Sequence, residues 1–242
     1  MKKLIFVLSS LTQLLVAQTT EPTAATSKER KIALGISFSP DYSYRDVRAT
    51  NSYFEPLVDL MDSNELPVFG LTTGLKLSTI LKKRFTYETG VLFSKKGFRS
   101  KTQTFYAYDP NDPSIPKTST DYYSYYSLDV PLKVNFYPIK TKTGGFSVSA
   151  GLITNLFFRR VTTFEYEFNN KPNQTVKQAS NKFGILPSML VAIGYQQELS
   201  ERLFFKAEPS YRRALVNYSG NGSAVNTYLY SLGLDVSLFL KL

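Results

Sequence analysis

The chain of 242 residues has 29 Lys and Arg against 19 Asp and Glu, a formal net charge of +10, and it contains no Cys and no His. Without these two residue types a disulfide, a thiolate nucleophile, a Ser-His-Asp triad and the usual zinc and haem sites are excluded. We therefore expect no enzymatic activity, no catalytic residues, no metal site and no cofactor.

Residues 1–18 have the pattern of a secretory signal peptide. Two lysines precede an apolar stretch, which ends in small residues at Ala17. Polar residues interrupt the stretch, so it is shorter than the run of about 20 apolar residues that a membrane-spanning helix needs. We predict cleavage close to Ala17. Residues 19–30 are polar and without a pattern, and we predict that they form a short flexible leader.

Residues 31–242 alternate between apolar and polar or small residues in one run after another. In the first run, Ile32, Leu34 and Ile36 share one face of an extended chain. This period of two predicts half-buried strands, and no segment shows a helical period. The eight runs lie at residues 32–38, 69–77, 85–94, 126–136, 146–156, 189–196, 203–212 and 228–241.

The polar face of these runs is rich in Gly, Ala and Ser, as a narrow barrel interior requires. Short connections alternate with long ones, which is the asymmetry of outer-membrane barrels with short periplasmic turns and long external loops. The short connections lie near residues 79–84, 138–145 and 197–202, and the long ones span residues 42–66, 99–121, 158–184 and 214–226. We predict an all-β fold, an eight-stranded antiparallel up-and-down transmembrane β-barrel. A soluble periplasmic lipid-binding barrel is the alternative.

One strand pattern resembles a known family. Leu128-Asp129-Val130-Pro131-Leu132 is similar to the L-[DE]-[IV]-P-L strand of the PorT-like outer-membrane β-barrel family of Bacteroidetes-type bacteria, and Ala207–Arg212 and Phe38–Arg45 are similar to other patterns of that family. The resemblance implies an outer-membrane β-barrel, and the named member of the family acts in protein secretion and gliding. Together with the signal peptide, it predicts export to the cell outer membrane of a Gram-negative bacterium.

Charged residues recur on the polar face of the predicted strands. An eight-stranded barrel is only just wide enough for its own side chains, and isolated buried charges cost several kcal/mol each. We therefore expect opposite charges to pair as a structural network that fills the lumen, with a narrow ion path as the alternative. Glu88 and Glu208 could form an acid/base pair, but no nucleophile accompanies them. The predicted network consists of Lys76, Glu88, Asp129, Lys133, Lys206, Glu208, Arg212 and Asp235.

Basic residues are also expected at the outer rim, where they could contact lipid phosphates through charge-assisted hydrogen bonds. The partner would then be outer-membrane lipid, including lipopolysaccharide. Other lysines and arginines lie at the periplasmic end, so solvated caps are an equal alternative. The basic residues form no single stripe, and we expect no nucleic-acid partner. The rim candidates are Arg45, Arg48, Lys96, Arg99, Arg159, Arg160 and Arg213.

The long connection at residues 99–121 is rich in aromatic residues and is expected to extend two strands as an external hairpin. Exposed loops on a rigid scaffold are frequent binding sites. We expect this hairpin to contact a protein partner, such as another envelope or secretion-machinery protein. The chain would then have a structural or protein-interaction role, with a narrow channel or carrier for small solutes as the alternative. The contact candidates are Phe105, Tyr106, Tyr108, Tyr122 and Tyr123.

Overall fold

The computed structural model describes residues 32–105, 108–109, 112, 114–141, 143–169, 171–181, 183–219 and 222–242. The predicted signal peptide and leader, and Tyr106 of the predicted contact hairpin, lie outside these residues.

The described residues form strands for most of their length. The elements are, in chain order, β1 (Ile32–Ala49), a 3₁₀ turn (Ser52–Phe54), α1 (Glu55–Asn64), β2 (Glu65–Lys82), β3 (Phe85–Ser100), β4 (Gln103–Thr104), β5 (Thr118–Lys140), β6 (Gly144–Glu167), β7 (Gln174–Ser180), β8 (Gly184–Glu198), β9 (Leu203–Ala214) and β10 (Val225–Lys241).

Eight of these strands close into a ring in which every pair of neighbours is antiparallel. The order around the ring is β1, β2, β3, β5, β6, β8, β9 and β10, and β10 pairs again with β1. Strands adjacent in the ring follow one another along the chain, so the fold is an up-and-down barrel. The predicted fold class is confirmed. The two further strands lie outside the ring: β4 pairs with β5 and β7 pairs with β6.

The wall of the barrel has its apolar side chains outside and its polar side chains inside. In β1, Ile36 and Phe38 are 62% and 54% exposed, whereas Ser39 and Asp41 are completely buried. The same alternation runs through the other ring strands. This arrangement is typical of a transmembrane barrel, in which lipid covers the outer face. A soluble lipid-binding barrel would have the opposite arrangement, with an apolar interior.

The expectation that no helix follows the signal peptide is wrong, because α1 lies within the predicted connection 42–66. The helix is only ten residues long, and none of its residues is buried. Apolar and acidic residues mix along it, so no helical period is visible in the sequence. One local signal was available, since Pro56 stands in the first turn of α1. The Asn51 side chain accepts a hydrogen bond from the Tyr53 amide and caps the preceding 3₁₀ turn. In the described residues no helix is both long and apolar enough to cross a bilayer.

The strands continue well into the predicted long connections. β5 and β6 contain 23 and 24 residues, whereas about 9–11 tilted residues cross a bilayer. Their upper halves stay paired to each other, and β6 also pairs with β7 from Arg160 to Tyr166. The opposite end of the barrel, where β1 begins and β10 ends, has short turns. The barrel therefore has one short end and one end that extends far beyond the membrane.

Candidate functional site

A ring of two lysines and two glutamates lies in the half of the interior nearer the short turns. Nζ of Lys133 lies 2.7 Å from the Glu88 carboxylate and 2.5 Å from that of Glu208. Nζ of Lys206 lies 2.6 Å from Glu88 and 3.0 Å from Glu208. All four side chains are buried. Two ammonium groups and two carboxylates make the ring neutral. Because each carboxylate contacts both lysines, neither glutamate is free to act as an acid or base.

Neutral side chains complete this ring. The Asn135 amide donates to Glu88 at 2.9 Å, and the Ser149 hydroxyl donates to Glu208 at 3.1 Å. Lys206 also donates to the Asn135 carbonyl oxygen at 3.1 Å. Buried charges are stable only when their remaining hydrogen-bonding capacity is used. The amide and hydroxyl residues on the inward face of these strands meet that requirement.

A second group of ion pairs lies above the first and is centred on Arg212. Its Nη1 donates to both carboxylate oxygens of Asp41, at 3.2 and 3.1 Å, and its Nη2 lies 3.5 Å from Asp235. Nζ of Lys76 lies 2.6 Å from the same Asp235 carboxylate. Two cations and two anions therefore alternate across the barrel, on β2, β10, β9 and β1.

Asp41 is a member of the interior network that the sequence-based set omitted. It lies on the inward face of β1 in phase with Ser37 and Ser39, so the alternation of that strand contained the necessary signal. Gly233 faces it from β10, and a Cβ atom there would lie 2.1 Å from an Asp41 carboxylate oxygen. The glycine therefore leaves the space that the carboxylate occupies.

Lys96 is placed inside the barrel, which corrects its expected position at the lipid-facing rim. Its ammonium group lies 3.3 Å from the Asp129 carboxylate, which also accepts a hydrogen bond of 2.6 Å from Ser127. Lys96 follows the inward phase of Leu92 and Ser94 in β3, both of which are buried. Its charge is therefore used within the interior.

We call the end of the barrel with the long strands the outer mouth. Below it, the ion pairs of the described residues contain equal numbers of cations and carboxylates. Each has at least one opposite charge within 4 Å. An interior cavity between them measures about 20 Å³, which is room for about one water molecule. All eight residues of the predicted network lie here. The carboxylates are Asp41, Glu88, Asp129, Glu208 and Asp235, and the cations are Lys76, Lys96, Lys133, Lys206 and Arg212.

Aromatic side chains cover both ends of this network. At the short-turn end, the rings of Phe204 and Phe239 stack with their centroids 4.8 Å apart. At the other end, Tyr218 from the connection after β9 contacts Tyr125 and Phe157, with centroid distances of 5.6 and 6.2 Å. Burial raises the pKa of the Tyr218 hydroxyl above its usual value. This residue could not be placed from the sequence, because the connection has no period.

Arg45 lies inside the outer mouth, which corrects its expected contact with lipid phosphate. Its guanidinium pairs with Glu65 and lies 4.2 Å from the centroid of the Phe98 ring, and Arg45 is only 5% exposed. Burial raises the pKa of Glu65, although Arg45 acts in the opposite direction. Like Asp41, Arg45 follows the inward phase of β1.

Of the other rim candidates, Arg48, Arg99, Arg159 and Arg213 are on the outward face, whereas Arg160 is paired in the strand register with the inward-facing Tyr125 of β5. Arg48 and Arg213 both pair with Asp46, so their charges are partly neutralised. Arg159 and Arg160 are exposed and Arg99 is half-exposed. Within the described ranges, none of these last three arginines has an ion-pair partner.

The described aromatic residues of the predicted contact hairpin each contact a neighbouring side chain or lie on β5. Phe105 contacts Tyr166 of β6, with ring centroids 6.2 Å apart. Tyr108 contacts the side chain of Asn169. Tyr123 faces inward and stacks on Phe98 at 4.8 Å, whereas Tyr122 is half-buried on the outward face of β5. Tyr123 therefore lines the interior at this end of the barrel, and its contact with a partner stays a prediction.

No protein-family profile and no functionally curated protein matches the chain. Solved outer-membrane proteins resemble it at low similarity. The outer membrane protease OmpT from Escherichia coli is 9% identical over 93% of this chain and 100% of its own, with a TM-score of 0.43. Neisserial surface protein A is 9% identical over 87% and 97%, with a TM-score of 0.40. Ail, the attachment invasion locus protein of Yersinia pestis, is 12% identical over 86% and 99%, with a TM-score of 0.31. These values assign no activity to the chain.

Proposed function

We propose that the protein is a non-conducting outer-membrane barrel that presents its external extension to other envelope components. The observation that carries this proposal is the filled interior, in which paired charges leave a cavity of about 20 Å³. A solute path needs a continuous polar opening. The ion pairs occupy the interior, where such an opening would run. The function of the protein is therefore assigned to its external surface.

The external half of β5, β6 and β7 supports an interaction role. These strands form a sheet beyond the membrane, and all seven residues of β7 are exposed. A rigid scaffold that carries a large exposed extension is the usual arrangement of a binding protein. The proposal includes export through the signal peptide to the outer membrane of a Gram-negative bacterium. It also includes membership of an envelope or secretion complex, as the PorT-like resemblance implies, and it assigns no catalytic step.

We expect the purified barrel to show no ion conductance in a planar lipid bilayer at neutral pH. The ion pairs around Lys206 and Arg212 block the interior, and separating them would leave buried charges unpaired. Single-channel recording measures this directly. A steady open conductance in the wild-type protein would contradict the proposal and favour the channel alternative.

Co-purification from native outer membranes tests the interaction role. We expect a chain that lacks the end of the external sheet, residues 171–181, to lose bound envelope proteins that the full chain retains. The matched control shortens the periplasmic turn at residues 199–202. Both variants must keep the gel-mobility difference between heated and unheated samples that marks a folded barrel. Equal recovery of partners with both variants would contradict a role for the external sheet.

A further inference from the structure

Three cations stand near one another on the outward face of neighbouring strands of the barrel wall. They are Lys95 and Arg99 on β3 and Arg159 on β6. No ion pair joins any of them to another described residue. The next residue in β3 is Lys96, which pairs with Asp129 in the interior. The two lysines point in opposite directions, and it is Lys95 that is exposed.

The strand register brings these cations together on one patch. Lys95 pairs with Tyr126 of β5, and Tyr126 pairs with Arg159 of β6. The two cations therefore stand at one level, two strand spacings or about 10 Å apart. Arg99 lies four residues further along β3, about 13 Å from Lys95. We call Lys95, Arg99, Arg159 and the intervening Tyr126 the basic patch.

A hollow in the wall adjoins the basic patch. Gly97 and Ser124 pair with each other and stand between the outward positions of Lys95 and Arg99. No side chain fits at Gly97, where a Cβ atom would lie 1.9 Å from the Tyr123 carbonyl oxygen. The hollow measures about 450 Å³, and Phe69 and Tyr122 also line it. Lys95 and Arg99 of the basic patch, together with Lys96, thus border a space that no described side chain of the barrel fills.

Aromatic rings separate the basic patch from the apolar belt. Phe93 lies two residues below Lys95, and its ring centroid is 6.1 Å from that of Tyr126 and 6.5 Å from that of Phe158. Aromatic side chains of this kind mark the membrane interface of outer-membrane barrels. The cations are therefore at the level of the lipid headgroups. The apolar outer face of the barrel below them would contact the acyl chains.

We propose that the basic patch binds the phosphate groups of a lipopolysaccharide molecule in the outer leaflet. This inference rests on the proposed outer-membrane location. Arginine and lysine bind phosphate through charge-assisted hydrogen bonds. Three unpaired cations on strand positions within about 16 Å of one another fit a headgroup that carries more than one phosphate better than a phospholipid with one. The hollow beside them accommodates part of the sugar.

The test compares charge reversal at the patch with the same reversal at the opposite end. The patch variant is Lys95→Glu, Arg99→Glu and Arg159→Glu. The matched control is Lys82→Glu, Lys83→Glu and Arg84→Glu, three exposed positions at the periplasmic turn after β2. Each protein is extracted from native outer membranes in mild detergent, and lipopolysaccharide per barrel is measured by native mass spectrometry. We expect at least a tenfold loss in the patch variant and less than a twofold change in the control.

Purified lipids then distinguish the possible sources of phosphate. We expect delipidated wild-type protein to bind bis-phosphorylated lipid A and to be stabilised by it against heating. Dephosphorylated lipid A, phosphatidylglycerol and inorganic phosphate should give at least tenfold weaker binding or none. Equal binding of phosphatidylglycerol, or unchanged lipopolysaccharide in the patch variant, would overturn the proposal.

Folding is checked by the gel shift between heated and unheated samples. If the reversed variant does not fold, the neutral variant Lys95→Gln, Arg99→Gln and Arg159→Gln replaces it, with the same three Gln substitutions at the control positions. Failure of the proposed function would be visible separately, as conductance of the wild-type barrel or loss of its outer-membrane fractionation. Loss of lipid binding alone would leave that function unaffected.

Discussion

Replacing Glu208 with alanine is expected to destabilise the barrel by about 3–5 kcal/mol, because removal of one partner from a buried ion pair leaves the other charge uncompensated. Lys133 and Lys206 would then share the single carboxylate of Glu88. Both ammonium groups are buried, so water cannot replace the lost contacts without opening the interior. The change is measured as the midpoint temperature of the gel shift in detergent, which should fall by roughly 10 °C or more.

Glu201→Ala is the matched control for this variant. Glu201 is exposed in the turn before β9, and substitutions of this kind usually change stability by about 0.5 kcal/mol or less. If Glu208→Ala keeps the wild-type midpoint and instead produces conductance in a planar bilayer, the ring of ion pairs is a gate. The filled-interior proposal would then be wrong.

Replacing Arg212 with leucine should have an effect at least as large. Asp41 would lose its guanidinium partner completely, and Asp235 would keep only Lys76. We expect a loss of about 3–5 kcal/mol, measured by the same gel shift. Arg202→Leu, at an exposed position in the turn before β9, is the control and should leave the midpoint almost unchanged.

A second substitution separates lost pairing from general damage to the interior. In the double variant Arg212→Leu, Asp41→Asn, the unpaired carboxylate is removed. Replacement of both partners of a buried ion pair by neutral residues is often close to neutral in stability. We therefore expect the double variant to recover a large part of the midpoint lost by Arg212→Leu. A double variant that is less stable than the single one would show that packing, and not charge, determines the effect.

The alternation along each strand contained most of the information on the fold and the interior. The period of two placed Lys76, Glu88 and Glu208 on the inward face, and the need to pair buried charges implied their partners. The same alternation, continued in β1 for three residues beyond Phe38, would have added Asp41 to the predicted network. It was missed because the predicted run ended at Phe38, whereas β1 continues as strand to Ala49.

Features above the membrane were harder to predict for a physical reason. There no lipid covers the outer face of the strands. The positions of the apolar residues therefore no longer indicate which face of a strand points outward. Lys95 and Lys96 are adjacent and chemically alike, and only the phase of β3 decides which one faces out. Tyr218 takes its place through contacts with Tyr125 and Phe157, which no local pattern of residues encodes.

The interior ion pairs also join the first two strands of the barrel to the last two. Asp41 and Lys76 belong to the first two strands, whereas Arg212 and Asp235 belong to the last two. These contacts exist only after β1 has met β10 in the observed alignment. A slip of one residue at this seam would turn the charges of one side toward lipid, and a slip of two would separate Asp41 from Arg212 and Lys76 from Asp235. The charges therefore favour closure of the barrel in the observed register of β1 and β10 over closure in a shifted register.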